Sequence, residues 1–178
     1  MSIIDQLTEL ERQSQQRGIP IVGSAKGAWL LQKVQELKPK KILELGTANG
    51  YSGIILGSAG ASITTIEIDE NIAEEAMRNF TECKINAEII LGDGVSIVQE
   101  LAQKNKHCFD LIFIDFAKRQ YLPVLENCIQ LVRQGGLIIA DNISFDGCQD
   151  YKDAVLSHPH LKTDIIDIKD GLSCSEKK

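Results

Sequence analysis

Basic charge is the first thing this sequence lacks: its 178 residues carry 19 Lys and Arg against 25 Asp and Glu, for a net charge of -6. Gripping a nucleic acid through its phosphates takes clustered Lys and Arg, so broad nucleic-acid binding is disfavoured. Paired cysteines are missing too. Cys83, Cys108, Cys128, Cys148 and Cys174 are odd in number, far apart and never in CxxC spacing. That pattern argues against a disulfide framework or a zinc site and suits reduced thiols in a cytoplasmic protein. Apolar runs are only a few residues long, far short of the roughly 20 that cross a bilayer, so no membrane partner is expected. No positively charged start leads into an apolar run, and no signal peptide is expected. Aromatics make up only 5% of the chain, so the 43% of hydrophobic residues must pack mainly through aliphatic side chains. One continuous core in a single domain, residues 1–178, is the expectation.

What is present is an alternation of periods. Ile3, Leu7 and Leu10 share a helical face over Ile3 to Gln16, ended by Gly18-Ile19-Pro20. A second helix starts at Ser24 and carries Trp29, Leu30, Val34 and Leu37 up to Lys38-Pro39. Residues 1–38 thus read as N-terminal helices and 39–178 as a core. In that core the predicted strands are Lys41–Gly46, Ser62–Ile68, Ala87–Leu91, Asp110–Asp115 and Leu137–Ala140. Helices are predicted up to about Ala59 and over Asn71–Cys83, Val95–Lys104 and Lys118–Val132, with Gly135-Gly136 as a turn before the fifth strand. Strands alternating with helices give a parallel sheet covered on both faces. The tail differs: Thr163–Ile168, Lys169-Asp170-Gly171 and Leu172–Ser175 read as a hairpin, since Asp-Gly is a tight-turn signal. The fold class is therefore α/β, a Rossmann-like, mostly parallel, doubly wound sheet closed by a C-terminal antiparallel hairpin.

In such sheets ligands bind at the carboxyl ends of the strands. The first strand runs into Glu44-Leu45-Gly46-Thr47-Ala48-Asn49-Gly50-Tyr51-Ser52. Gly46 and Gly50 allow close backbone approach to a ligand, and the next helix offers free N–H groups; packing alone would also explain them. The turn is not GxGxxG, which counts against a pyrophosphate-cradling dinucleotide site. The second strand ends in Glu67-Ile68-Asp69, about twenty residues on, where an acid can accept hydrogen bonds from ribose hydroxyls. One of the two acids can cap the next helix while the other binds ribose. Gly92-Asp93-Gly94 follows the third strand, as an adenine-reading turn or as a turn alone. Together the three positions favour a nucleoside pocket.

The fourth strand ends Phe113-Ile114-Asp115-Phe116-Ala117-Lys118 and the fifth Ile138-Ile139-Ala140-Asp141-Asn142. Asp at a strand end often caps a helix. Two such acids on adjacent strands, with an amide beside one and Lys118 near the other, make an oxygen-rich site suited to Mg²⁺.

Through these residues the chain resembles the metal-dependent O-methyltransferases of the catechol and caffeoyl-CoA group. The resemblance runs from about Val22 to Lys178. It is carried by Val22-Gly23-Ser24-Ala25-Lys26-Gly27, Leu43-Glu44-Leu45-Gly46 through Gly50-Tyr51-Ser52, Ile66-Glu67-Ile68, Asp115 with Lys118 and Tyr121-Leu122-Pro123, Asp141-Asn142, and Asp170-Gly171-Leu172. It implies that S-adenosylmethionine is the cofactor, bound by Val22, Glu44, Gly46, Ser52, Glu67, Ile68, Asp93, Gly94 and Asp115. It further implies that Asp115, Asp141 and Asn142 hold Mg²⁺ and that Lys118 acts as general base. Ala117 stands where the animal catechol enzymes carry an aromatic against adenine, and Phe116 substitutes for it only in part. Asp164 lies roughly where those enzymes place a substrate-contacting glutamate. Dimerisation is common in the family, so a homodimer is a possible assembly.

The activity so implied is methyl transfer to a metal-chelated hydroxyl of a small catechol-like aromatic. The chemistry is coherent, because a chelating divalent cation stabilises a phenolate and methyl transfer is mostly positioning. Some relatives methylate hydroxylated uridine in transfer RNA, which the acidic balance disfavours. No Asn-Pro-Pro-aromatic motif of the base-amino methyltransferases is present. A nicotinamide-dependent oxidoreductase is disfavoured by the missing GxGxxG, and a non-catalytic cofactor-binding subunit has no need of Asp115, Lys118, Asp141 and Asn142. His107, His158 and His160 form no constellation with Ser or Cys and are assigned to surface loops.

Overall fold

A computed structural model describes residues 2–178. Its elements are α1 (Ile3–Gln6), α2 (Thr8–Arg17), α3 (Gly23–Leu37), β1 (Lys41–Leu45), α4 (Tyr51–Gly57), β2 (Ser62–Glu67), α5 (Glu70–Glu82), β3 (Ala87–Leu91), α6 (Gly94–Lys104), β4 (Phe109–Ile114), α7 (Tyr121–Leu131), β5 (Val132–Asp141), α8 (Gln149–Ser157), β6 (Leu161–Ile166) and β7 (Leu172–Lys177). Short 3₁₀ turns at Lys118–Gln120 and Asp146–Cys148 precede α7 and α8. The seven strands run in the order β3-β2-β1-β4-β5-β7-β6. β2 pairs with β3 and β4 with β5 in parallel, whereas β7 is antiparallel to both β5 and β6. This is the expected doubly wound sheet with a closing hairpin. Among the described residues no helix is long and apolar enough to cross a membrane.

The chain divides into two compact units, residues 1–42 with 47–92 and residues 43–46 with 93–178. The first holds α1 to α5, β2 and β3. α5 buries Ala73, Ala76 and Phe80, one stripe of a helix whose opposite face is exposed. Leu30, Val34, Ile54, Ile55 and Ile63 are each completely buried in this unit. Two polar ties fasten α2: the buried Asn49 amide donates to Ser14 Oγ (2.7 Å), and the Tyr51 hydroxyl donates to Glu11 (3.0 Å).

The second unit holds the rest. β4 is apolar on both faces, as a central parallel strand must be, with Leu111 through Ile114 fully buried. α7 and α8 contribute Tyr121, Val124, Leu125, Tyr151 and Val155 to its core. Burying each large aliphatic side chain is worth roughly 1.5–3 kcal/mol, which offsets the entropy of ordering these elements.

Four local expectations need correction. The first helix breaks at Leu7, whose side chain is 2% exposed, while the Thr8 hydroxyl bonds back to the Asp5 carbonyl. A side chain competing for helix carbonyls loosens the turn. Gly135-Gly136 is no turn between elements but a bulge inside β5, where the register jumps from Phe109↔Val132 to Leu111↔Leu137. α8 was not foreseen, although Tyr151 and Val155 stand four residues apart and both are buried. The hairpin's first strand lies at Leu161–Ile166, ahead of the predicted Thr163–Ile168.

Candidate functional site

In the first unit the candidate groups gather around one carboxylate. Glu67 ends β2, and its Oε2 accepts the Ala48 N–H (2.9 Å) from the glycine turn. Its Oε1 accepts the N–H groups of Ile68 (2.8 Å) and Asp69 (3.1 Å). A carboxylate offers about four lone-pair positions, so one further donor can still be received. Asp69 is the capping acid, accepting from the Asn71 and Ile72 N–H groups at the start of α5. The division of labour between the two acids, open in the sequence, is thus Asp69 for the helix and Glu67 for the turn. Ile68 beside it is 74% exposed, a large apolar side chain held in the open. The turn itself is tight: Thr47 Oγ1 meets Thr65 Oγ1 at 2.7 Å, Ala48 adopts a φ of 44°, and a Cβ on Gly50 would press against the Phe80 ring at 3.1 Å. Val22, at the start of α3, and Ser52, in α4, are both buried.

In the second unit the strand order reverses between β1 and β4, the place where open α/β sheets bind ligands. Glu44 is fully buried on β1, and Gly46 follows with a φ of 99°. A Cβ on Gly46 would lie 2.1 Å from the Asp115 carbonyl oxygen, so only glycine lets the two chain segments meet. The Asp115 N–H donates to the Leu45 carbonyl at 2.8 Å, tying the ends of β1 and β4 together. Asp93 caps α6, accepting from the Ser96 N–H (2.9 Å) and hydroxyl (2.8 Å), and these bonds hold its carboxyl below the usual range. Phe116 lies over Gly94, where a Cβ would meet its ring at 2.9 Å. The ring also stacks on Tyr121, with centroids 5.7 Å apart. Phe116, not Ala117, is therefore the aromatic at this turn.

The acidic constellation assembles in the same unit. Ile114 stands opposite Ala140 in the parallel β4–β5 register, so Asp115 and Asp141 leave the sheet as neighbours on strands about 4.8 Å apart. Asp115 Oδ1 accepts from Lys118 Nζ at 2.8 Å. The same Nζ donates to the Tyr121 hydroxyl at 2.8 Å. Burial, then the charges of Asp115 and Asp141, push the Tyr121 phenol well above its ordinary range, so it stays neutral. Asp141 is 2% exposed, and its Oδ1 accepts the Asn142 N–H at 2.7 Å. The Asn142 side-chain nitrogen donates to Asp170. Among the described residues no cluster of three or more His, Cys, Asp or Glu forms a metal centre; the set gathered here is two carboxylates and an amide. Its donors are all oxygen, which suits a hard divalent cation.

Sequence reasoning missed the parts played by Tyr121, Asp170 and the Asn49–Ser14 tie. Asp170 and Ser14 pair with groups distant along the chain, which no local pattern signals, whereas Tyr121 stands only three residues after Lys118 and that spacing could have pointed to the contact. Asp164 is exposed on β6, opposite Cys174 in the β6–β7 pairing. The three histidines lie on loops. His158 Nε2 approaches Glu126 at 3.1 Å, and His107 Nδ1 meets the Val132 carbonyl and Lys177 at 3.2 and 3.0 Å.

Known proteins resemble this chain in sequence and in fold. A family profile described as O-methyltransferase matches residues 1–174. Catechol O-methyltransferase B of Danio rerio is 35% identical over 152 residues, covering 80% of this chain and 57% of that protein. Catechol O-methyltransferase of Sus scrofa is 32% identical over 139 residues, covering 73% of this chain and 74% of that protein. Against several of these curated relatives the chain spans only 52–62% of their length. Among solved structures, one from Staphylococcus aureus assigned to caffeoyl-CoA O-methyltransferase superposes with a TM-score of 0.87 at 27% identity, covering 100% of this chain and 93% of that one. An O-methyltransferase from Bacillus cereus, solved with S-adenosylhomocysteine, shares the fold at a TM-score of 0.83 and 24% identity, covering 98% of this chain and 90% of that one. With the profile spanning nearly its whole length, this chain belongs to the O-methyltransferase family.

Proposed function

We propose that the protein transfers a methyl group from S-adenosylmethionine to a hydroxyl of a small catechol-like aromatic chelated by a divalent metal ion. The observation that carries this reading is the grouping of Asp115, Lys118, Asp141 and Asn142 at the ends of β4 and β5. Family membership supports the methyl donor, and the same fold houses S-adenosylhomocysteine in the Bacillus cereus protein. The names of the catechol and caffeoyl-CoA relatives support a phenolic acceptor. In this reading Glu67 receives a ribose hydroxyl, Ile68 lies against the base, and Asp93 and Gly94 line its edge. Val22, Glu44, Gly46, Ser52 and Asp115 complete the surroundings of the donor. In this reading the protein works in the cytoplasm, a placement that rests on the odd number and wide spacing of its cysteines along the sequence.

Asp115, Asp141 and Asn142 would hold the metal, Mg²⁺ in this reading, and the fit rests on their chemistry. All three offer oxygen, and Asn142 has its nitrogen engaged elsewhere. When bound, the cation lowers the cost of forming a phenolate and fixes the acceptor's orientation. In this reading Lys118 Nζ receives the hydroxyl proton, and the Tyr121 hydroxyl, which accepts a hydrogen bond from that Nζ, fixes its position. Phe116, stacked on the fully buried Tyr121, is the ring left partly open beside the site. The half-exposed Phe145 offers a further apolar surface for a flat acceptor.

Calorimetry of S-adenosylhomocysteine binding to wild type and Asp141→Ala, with Mg²⁺-dependent methylation of a catechol panel on the same samples, tests the reading. Binding to both proteins, with turnover only when Mg²⁺ and Asp141 are present, is expected. Cofactor binding without turnover of any catechol would remove the acceptor assignment, and failure to bind cofactor would remove the whole reading.

A further inference from the structure

We infer that Asp170 is the positioning residue for Asn142, turning its side-chain amide so that the oxygen, not the nitrogen, faces the metal site. The inference rests on the metal reading above and deepens it.

The amide of Asn142 has two faces of opposite character, and free rotation would present either one to a ligand. Asp170 removes that ambiguity. The Asn142 nitrogen donates to Asp170 Oδ2, and a carboxylate accepts hydrogen bonds while repelling another oxygen. Nitrogen and oxygen share one planar carbon, so committing the nitrogen to Asp170 directs the oxygen away from it. The bond also draws charge toward the amide oxygen and makes it a better ligand, the usual effect of a carboxylate behind a metal-binding group.

The fold holds Asp170 there by main chain on every side. Asp141 is paired with Leu172 at the last rung of the β5–β7 ladder, so the hairpin turn arrives beside the end of β5. Ser144 N–H donates to the Asp170 carbonyl (3.1 Å), Ile143 N–H to the Gly171 carbonyl (3.4 Å), and Gly171 N–H to the Ile168 carbonyl (3.0 Å). Gly171 has a φ of 78°, and a Cβ there would strike Ser144 Oγ at 2.8 Å. Asn142 is itself fixed in the left-handed region, at a φ of 55°, with its N–H on Asp141. Asn is among the few residues that take this conformation readily. The C-terminal hairpin therefore has a chemical task as well as a structural one: it delivers the acceptor for the Asn142 amide.

Mn²⁺ binding to the full chain, followed by calorimetry and by loss of the free-ion electron paramagnetic resonance signal, tests the inference. The proteins are wild type, Asp170→Ala, Asp170→Asn and Asp141→Asn, with S-adenosylhomocysteine affinity as the control for folding. Asp170→Ala is expected to weaken Mn²⁺ binding by roughly 10- to 100-fold, the usual loss for a residue behind a ligand. Asp170→Asn keeps an acceptor oxygen for the amide and is expected to recover most of that loss. Wild-type affinity in Asp170→Ala overturns the inference. So does an Asp170→Asn variant that falls as far as Asp141→Asn, which would make Asp170 a ligand in its own right. If wild type binds no Mn²⁺, the metal reading itself falls and takes this inference with it.

Discussion

Replacing Gly46 by Ala should cost this protein a large part of its stability, and the structure says how much. The added Cβ would lie 2.1 Å from the Asp115 carbonyl oxygen, 2.8 Å from its carbon and 3.2 Å from Phe116 Cβ. Ordinary contact between such atoms needs about 3.5 Å, so the ends of β1 and β4 must separate by about 1 Å or more. That movement breaks the Asp115 N–H bond to the Leu45 carbonyl, worth about 1 kcal/mol. Forcing Ala to a φ of 99° adds about 1–3 kcal/mol of backbone strain. Residual overpacking adds about 1–3 kcal/mol. The total, about 3–7 kcal/mol, is a large share of the roughly 5–15 kcal/mol that holds a domain folded. Urea denaturation of wild type and Gly46→Ala measures the loss, and calorimetry of S-adenosylhomocysteine binding on the folded fraction measures the site. A variant that loses less than about 1 kcal/mol and binds cofactor normally would refute the claim that this glycine exists for the close approach of the two strand ends.

Two further outcomes follow from single side chains. Glu67→Gln keeps the shape but turns one acceptor into a donor facing backbone N–H groups, so S-adenosylhomocysteine affinity should fall by about tenfold or more, which is about 1.4 kcal/mol; unchanged affinity by calorimetry would show that Glu67 serves the turn alone. Glu75 accepts from both terminal nitrogens of the Arg17 guanidinium at 2.7 Å, which holds its carboxyl below the usual range. A depressed folded-state value gives a contribution that is present above the ordinary carboxyl range and lost as pH falls through the depressed one. The Tm advantage of wild type over Glu75→Gln should therefore shrink on going from about pH 6 to about pH 3, and it should be small throughout because the pair is partly exposed. A gap that stays constant across that range would show that the ion pair does not fasten α2.

Much of the fold was legible in the sequence because its signals are local. Strand and helix periods repeat within a few residues, and the Asp-Gly turn announces the hairpin from its own two residues. The elements that were misread involve competition from elsewhere. Gly135-Gly136 looks like a turn until β4 is laid beside it, when the close backbone approach to the Asp110 carbonyl makes it a bulge. α8 is short, and its helical stripe amounts to Tyr151 and Val155. At the candidate site the strand-end acids were legible because strand ends are where chain direction changes, and Asp115, Lys118, Asp141 and Asn142 all stand there.

What the sequence determined by itself, then, is the order of elements, the class of sheet and the set of polar groups at its carboxyl edge. Tertiary structure alone decided how those groups are shared out. Asp69 caps α5 and leaves Glu67 to the glycine turn, 19 residues back along the chain. Ser14 meets Asn49 across 35 residues, and Asp170 meets Asn142 across 28. No local pattern encodes these pairings. A hydrogen bond between distant residues depends on strand register and loop path, and both are settled only when the chain packs.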